Sequence, residues 1–317
     1  MILAISRLLS ALPLAWALGL GRAGGWFWHY CAPVRRGVAR RNVERVFGPT
    51  LDKRAQRQLV RRAIRHFGMY AVESLRLPML TRELSETLID CEGYEHVAEA
   101  YARGKGVIAV TAHMGSFDLL ACGMAIRGHP MAVIFKEISW KAANDFWFAV
   151  RRRTGIQVIS PRRSKDEIKA TLARNHAVAF IVDQHMAKHR AIVCEFFGHL
   201  AATSPAAVRF AFETGATILP LYIHRAAELG RHVAVFEPPI VLETPHAELG
   251  ANIRHNTERL LRIVEGWIQK DPDQWLWLHR RWKVHDNPSG WDVPPELRLR
   301  YVGPHAPLTA AGKETIE

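Results

Sequence analysis

The chain has 317 residues, of which 49% are apolar and 23% charged. These globular values exclude a wholly disordered chain, a collagen and a multispanning membrane protein, and the length fits two domains or one large α/β domain. The formal charge of +13 is unevenly placed: residues 1–66 hold 13 Lys/Arg against 2 Asp/Glu, and the rest hold 30 against 28. A nearly neutral body therefore follows a strongly basic N-terminal sixth. Such a segment meets anionic lipid, nucleic acid or an acidic protein, or is simply a solvated helical face. Four cysteines, at 31, 91, 122 and 194, form no C-x2-C motif and suggest no disulfide framework, which points to a reducing compartment. Cys122 and Cys194 lie in apolar contexts and read as buried thiols.

The first element is a charge-free stretch over residues 8–21, followed by Arg22 and a second charge-free stretch to Val34 carrying Trp26, Trp28 and Tyr30. Fourteen residues are fewer than the ~20 of a spanning helix, although flanking arginines can snorkel. The aromatic group suits a membrane interface, and the arginines beyond it, from Arg35 to Arg65, suit the cytoplasmic side. We expect residues 1–34 to form a membrane anchor or interfacial helix. A cleaved signal peptide lacks a convincing cleavage site here; a core helix is the other alternative.

The body alternates. Short apolar runs at 106–112, 131–135, 156–160, 177–182, 216–223 and 232–236 read as strands. Helical patterns fall at 117–126, 139–153, 164–174, after Ser204-Pro205 up to Gly215, and at 252–269. The expected fold is α/β: a central, mostly parallel or mixed sheet flanked by helices. Residues 35–66 form a basic helical lead-in to a domain running to residue 283. The tail, 284–317, has five prolines in 34 residues and is expected to be extended or disordered.

Chemistry concentrates just beyond the first strong strand, in Thr111-Ala-His113-Met-Gly115-Ser116-Phe-Asp118. Open α/β sheets place ligands at such strand ends. On one continuous helix His113 and Asp118 point apart, but a turn at Gly115-Ser116 lets the chain fold back. Asp118 can then hold the imidazole in one tautomer while the other nitrogen takes a proton. Backbone N–H groups at the following helix start can bind an oxyanion or phosphate. The H-x4-[DE] spacing occurs once more, at His232 and Glu237, where an odd separation along a strand puts the two on opposite faces. The alternative for the first match is a first-turn Asp stabilising a helix dipole beside an unrelated histidine.

Context favours the first match. The stretch resembles the H-x4-[D/E] block of membrane-bound acyltransferases, which acylate glycerol phosphates and glycolipids. Arg40-Arg41-Asn42-Val-Glu-Arg-Val-Phe47 is similar to the basic stretch that follows the anchor in the lipid A late acyltransferases. Val182-Asp183-Gln184, then Phe196-Phe197-Gly198, Thr203 and Pro205, resemble that family's central block. The run from Asp273-Gln274 through Trp277, His279-Arg280-Arg281 and Lys283 resembles its C-terminal signature. The blocks keep the family's order over residues 35–283.

The resemblance implies acyl transfer at the cytoplasmic face of the inner membrane. His113 would be general base on an acceptor hydroxyl that attacks an acyl thioester, with Asp118 orienting it. No covalent acyl-enzyme is required, and no Ser or Cys lies in a nucleophile elbow. No cofactor is implied beyond the co-substrate, acyl carrier protein (acyl-ACP) or acyl-CoA. The implied partners are anionic inner-membrane lipids, the carrier protein and a phosphorylated glycolipid acceptor, with no nucleic acid. Lys136, Arg152 and Arg153 are the candidates for acceptor phosphate or oxyanion charge, against a solvated, dipole-favoured helix end. Asp183 and Gln184 read as a strand-end pair within the substrate-binding region. Glu195 either joins a relay to His113 or is a satisfied strand-end charge. Asp183, His185 and His189 lack a helical context for a metal cluster. His279-Arg280-Arg281 with Trp275, Trp277 and Trp282 reads as an interfacial belt or a packed core edge.

In one respect the chain departs from the family: Asp118 stands where lipid A transferases mostly carry Glu. Asp is usual in glycerol phosphate and actinobacterial mannoside acyltransferases, so the acceptor alternatives are a glycerol phosphate or a phosphatidylinositol mannoside. A basic membrane- or nucleic-acid-binding module without catalysis is the reading from another class, and the chain carries no zinc, KH or RNP motif to support nucleic acid.

Overall fold

The computed structural model describes residues 1–135, 139–161 and 164–301. Helices α1 (Ile2–Ala11) and α2 (Leu14–Tyr30) open the chain. The charge-free stretch is thus not one helix. Pro13, whose ring removes a backbone donor, separates two. Helices α3 (Arg36–Phe47) and α4 (Lys53–Arg76) carry the basic lead-in. Asp52 caps α4 by accepting from the Ala55 amide at 2.7 Å. Helix α5 (Arg82–Leu88), strand β1 (Ile89–Glu92) and helix α6 (Glu95–Ala102) follow.

The alternating body then runs β2 (Val107–Thr111), α7 (Phe117–Ile126), β3 (Met131–Ile134), α8 (Lys141–Arg153), β4 (Gln157–Ile159), α9 (Ser164–Ala173) and β5 (Ala177–Ile181). A hairpin of β6 (Ile192–Phe196) and β7 (His199–Thr203) stands outside the main sheet. Helix α10 (Ala206–Thr214), strands β8 (Thr217–Arg225) and β9 (His232–Phe236), and helix α11 (Leu249–Lys270) complete the core. Helices α12 (Lys283–Asp286) and α13 (Pro295–Tyr301) end the described chain.

The main sheet has the order β1-β9-β8-β2-β5-β3-β4, parallel except between β8 and β9. Central β2 is buried along its whole length, as a strand covered on both faces must be. Its side chains alternate between two cores. Ile108 and Val110 pack with residues of α3, α4, α9, α10 and α11; Val107 and Ala109 pack with residues of α6, α7 and α8. The expected α/β sheet flanked by helices is what the chain forms.

One expectation changes. The tail is folded as far as the described residues reach: Val284, Val293 and Leu297 pack on Val193, Leu200 and Ala202 of the hairpin. Residues 302–317 lie outside the described residues. At the other end, no described helix is long and apolar enough to cross a membrane. Helix α2 instead lies along α4. Ala17, Leu18, Gly21, Gly25 and His29 face inward, while Trp16, Leu20, Trp26, Phe27 and Tyr30 are exposed. Glycine makes this contact possible: a Cβ on Gly68 would stand 2.2 Å from the Gly21 carbonyl oxygen, and one on Gly25 would stand 2.6 Å from the Arg65 Cα.

Candidate active site

Parallel pairing of β2 with β5 matches Thr111 with Ile181, so the chains leave the sheet side by side. Two residues beyond each partner stand His113 and Asp183. Asp183 accepts from the His113 backbone amide at 2.9 Å, and its other oxygen meets His113 Nδ1 at 2.8 Å. Trp275 Nε1 donates to the same carboxylate at 2.7 Å. The side chain of Asp183 is 1% exposed and that of His113 18%. Burial alone would raise the Asp183 pKa, but the His113 charge and the donated hydrogen bonds outweigh it and hold it at about 2. The ionised Asp183 accepts from Nδ1–H, and Gln184 Nε2 approaches the other ring nitrogen at 3.1 Å.

The expected partner of the imidazole was Asp118, and the structure corrects this. The first turn of α7 carries Asp118 to a different pair of ligands: Tyr70 donates to Oδ2 at 2.6 Å and Arg151 Nη2 to Oδ1 at 3.2 Å. The physical reason is the turn itself. Gly115 has φ +58°, and Ile223 crowds its Cβ position, with the carbonyl oxygen 1.9 Å from where a Cβ would sit. The Gly115 amide donates to the Gln274 carbonyl at 2.9 Å, and the His113 carbonyl accepts from the Leu276 amide at 3.1 Å. The loop is pinned against residues 274–276, so the imidazole faces the end of β5.

The remaining candidates separate. Asp183 and Gln184, read from sequence as a strand-end pair, both touch His113. Arg151, not Arg152 or Arg153, faces Asp118; its guanidinium also lies 4.6 Å from the Phe135 ring and 5.4 Å from that of Trp147. Arg152 and Arg153 are exposed, as one helical turn places successive residues about 100° apart. Arg152 borders a shallow hollow of about 620 Å³ at edge strand β4, with β5 and β3 between it and β2. Lys136 lies outside the described residues. Glu195 joins no relay: it sits on the β6–β7 hairpin and pairs with Arg300 at 2.8 Å. His185 packs edge-on against Trp291, His189 is exposed, and among the described residues no cluster suited to a metal occurs.

The C-terminal signature is core, not an exposed belt. Trp275, Trp277, Arg281 and Trp282 are all buried. Arg281 donates to the carbonyls of Gln184 (3.1 Å) and Ala202 (2.5 Å) and to Thr203 Oγ1 (2.6 Å), tying the Asp183-Gln184 loop to β7. His279 accepts from the His185 amide at 2.9 Å, and burial lowers its pKa to about 4, so it is neutral.

A small apolar cavity of about 60 Å³ lies between α6, α7 and the sheet. Phe117 lines it and meets the His113 ring edge-on at 5.0 Å. Val97, Met124, Leu219 and Phe236 form other walls. Through Phe117 the imidazole therefore adjoins a small apolar cavity.

The α/β sheet thus carries a histidine–carboxylate pair at the ends of two parallel strands. The chain belongs to the bacterial lipid A biosynthesis acyltransferases, whose family model matches residues 1–284. It is similar to a lipid A biosynthesis acyltransferase of Haemophilus influenzae, 18% identical over 81% of this chain and 78% of that one. It is 25% identical to the lipid A biosynthesis palmitoleoyltransferase of Escherichia coli, over 79% of each chain. A phosphatidylinositol mannoside acyltransferase of Mycolicibacterium smegmatis is 23% identical over 68% of this chain and 71% of its own. The protein is an acyltransferase.

Sequence reasoning missed Tyr70, Arg151 and the partnership of Asp183 with His113. The last had a signal: both residues follow an apolar strand by the same interval. Only the pairing of the two strands turns that into a contact.

Proposed function

We propose that the protein moves a fatty acyl chain from the thioester of acyl carrier protein to a hydroxyl, or hydroxyacyl group, of a lipid A precursor. His113 Nε2 takes the acceptor proton, replacing the hydrogen bond to Gln184, while Asp183 holds Nδ1–H and stabilises the imidazolium. The acceptor oxygen forms its bond to the thioester carbon. The C–S bond then breaks as the tetrahedral intermediate collapses, and the thiolate recovers the proton from the imidazolium. In this scheme backbone amides at the start of α7 steady the oxyanion. The small apolar cavity behind Phe117 takes the first methylenes of the acyl chain. Arg151 with Asp118 serves the polar part of a substrate, a role first assigned to Arg152 and Arg153. No metal or cofactor enters this scheme.

The observation that carries this reading is the buried, ionised Asp183 on Nδ1 of an imidazole that packs against Phe117, a wall of that cavity. The exposed apolar and aromatic face of α1–α2, next to the basic α3 and the first turns of α4, supports binding to anionic lipid at the cytoplasmic face of the inner membrane. The decisive experiment offers acyl-ACP and acyl-CoA to the purified protein with a lipid A precursor, a glycerol phosphate and a phosphatidylinositol mannoside, read by mass. The expected product is the lipid A precursor gaining one acyl chain from acyl-ACP, lost in His113→Ala. Activity retained by His113→Ala sinks the mechanism; acylation of the mannoside or the glycerol phosphate alone reassigns the acceptor. Vesicle flotation with Trp26→Ala/Phe27→Ala tests the membrane face: undiminished binding to anionic vesicles rejects it.

A further inference from the structure

Asp118 is held by two donors from two distant helices, and one of them has no role in the scheme above. Tyr70 reaches it from α4, 48 residues earlier in the chain, at 2.6 Å. Its ring stacks on Phe117 with centroids 4.9 Å apart and planes 25° apart, and the tilted Phe67 ring lies 5.3 Å away. Phe117 and Asp118 are consecutive residues in the first turn of α7. One tyrosine therefore grips that turn twice, by ring and by hydroxyl. Burial and the Asp118 charge push the Tyr70 pKa well above its usual value, so the phenol stays protonated and remains a donor. Arg151 takes the other carboxylate oxygen at 3.2 Å. With Tyr70 on Oδ2, Arg151 on Oδ1 and His113 Nδ1 on Asp183, the site contains two separate carboxylates with separate ligands.

We propose that Tyr70 is a positioning residue whose hydroxyl fixes Asp118 on Arg151, as a second polar grip beside the His113–Asp183 pair and not on the imidazole. The inference rests on the acyl-transfer reading. It assigns α4 a part in the site: the helix that carries the basic lead-in also sets the geometry of the motif carboxylate. Tyr70 touches no reacting atom and acts through Asp118.

The test is a double-mutant cycle on acyl transfer to the accepted lipid, using the full-length protein. Tyr70→Phe keeps the ring stack and removes one hydrogen bond to a carboxylate, so kcat/KM should fall about tenfold or more, with the melting temperature nearly unchanged. In an Asp118→Ala background the same change should cost less than twofold, because its partner is already gone. An equal loss in both backgrounds marks a merely structural tyrosine and overturns the proposal, as does full activity of Tyr70→Phe. Should Asp118→Ala lack measurable turnover, Arg151→Ala reads the same coupling. There Tyr70→Phe should cost less than in the wild type, since Asp118 then has no Arg151 to be fixed on, and an equal or larger cost overturns the proposal. A wild type inactive with every donor and acceptor condemns the acyl-transfer reading, whereas an active wild type with an indifferent Tyr70→Phe condemns the inference alone.

Discussion

Two carboxylates flank the same loop and live in opposite surroundings. Asp183 is sealed at 1% side-chain exposure and receives three N–H donors, all from residues the sheet and the C-terminal signature hold rigid. Asp118 is 14% exposed and held by two long side chains, Tyr70 and Arg151. A sealed carboxylate suits a constant task, keeping one tautomer of one imidazole. A carboxylate at the edge, beside a guanidinium, suits contact with something that comes and goes. The motif residue that sequence spacing marks is thus the one nearer the edge, and the sealed one lies outside that spacing.

The comparison can be broken most forcefully at Asp183. Asp183→Asn keeps the volume but cannot accept from His113 as a carboxylate does, and steady-state kinetics should show kcat reduced by about 10³-fold or more, as wrong-tautomer changes do in comparable dyads. A loss under tenfold would return the orienting role to Asp118. Next comes acid stability. The folded pKa of Asp183 is depressed to about 2 from an ordinary 3.8, so its stabilisation is complete above the ordinary value and is lost as pH falls towards 2. Urea midpoints measured from pH 6 to pH 2 should fall over this window by an amount on the order of 2 kcal/mol attributable to Asp183, and Asp183→Asn should flatten that part of the profile. Arg151→Ala should then cost about tenfold in kcat/KM while Arg152→Ala stays within about twofold, since only the former pairs with a carboxylate in the site. The smallest effect belongs to Glu195→Gln: its ion pair with Arg300 is largely exposed, so chemical denaturation should move by at most about 1 kcal/mol and turnover not at all.

How far the sequence revealed this follows from the range of each signal. Strands β2, β3 and β5 and helices α7 to α11 announce themselves by local periodicity. Strand β1 has four residues, too few for a period to register. The β6–β7 hairpin turns through Phe197 and Gly198, both with positive φ (51° and 66°), where Asn-Gly or Asp-Gly would have given the recognisable turn. The tail misled through its prolines: they keep 284–301 from forming long helices, yet Val284, Val293 and Leu297 still find a hydrophobic seat. His113 was legible as a residue at a strand end. Its partner was not, because 70 residues and the insertion of β5 between β2 and β3 separate proximity in the chain from proximity in space.

The glycine contact between α2 and α4 has a mechanical consequence. With no side chain between Gly21 and Gly68, the two helices meet backbone to backbone and cannot slide without collision. Helix α4 in turn holds Asp118 through Tyr70. A rigid strut therefore runs from the outward aromatic rings of α2 to the reaction centre. The spacing between those rings and the turn that carries Asp118 is thus set by two residues having nothing to add.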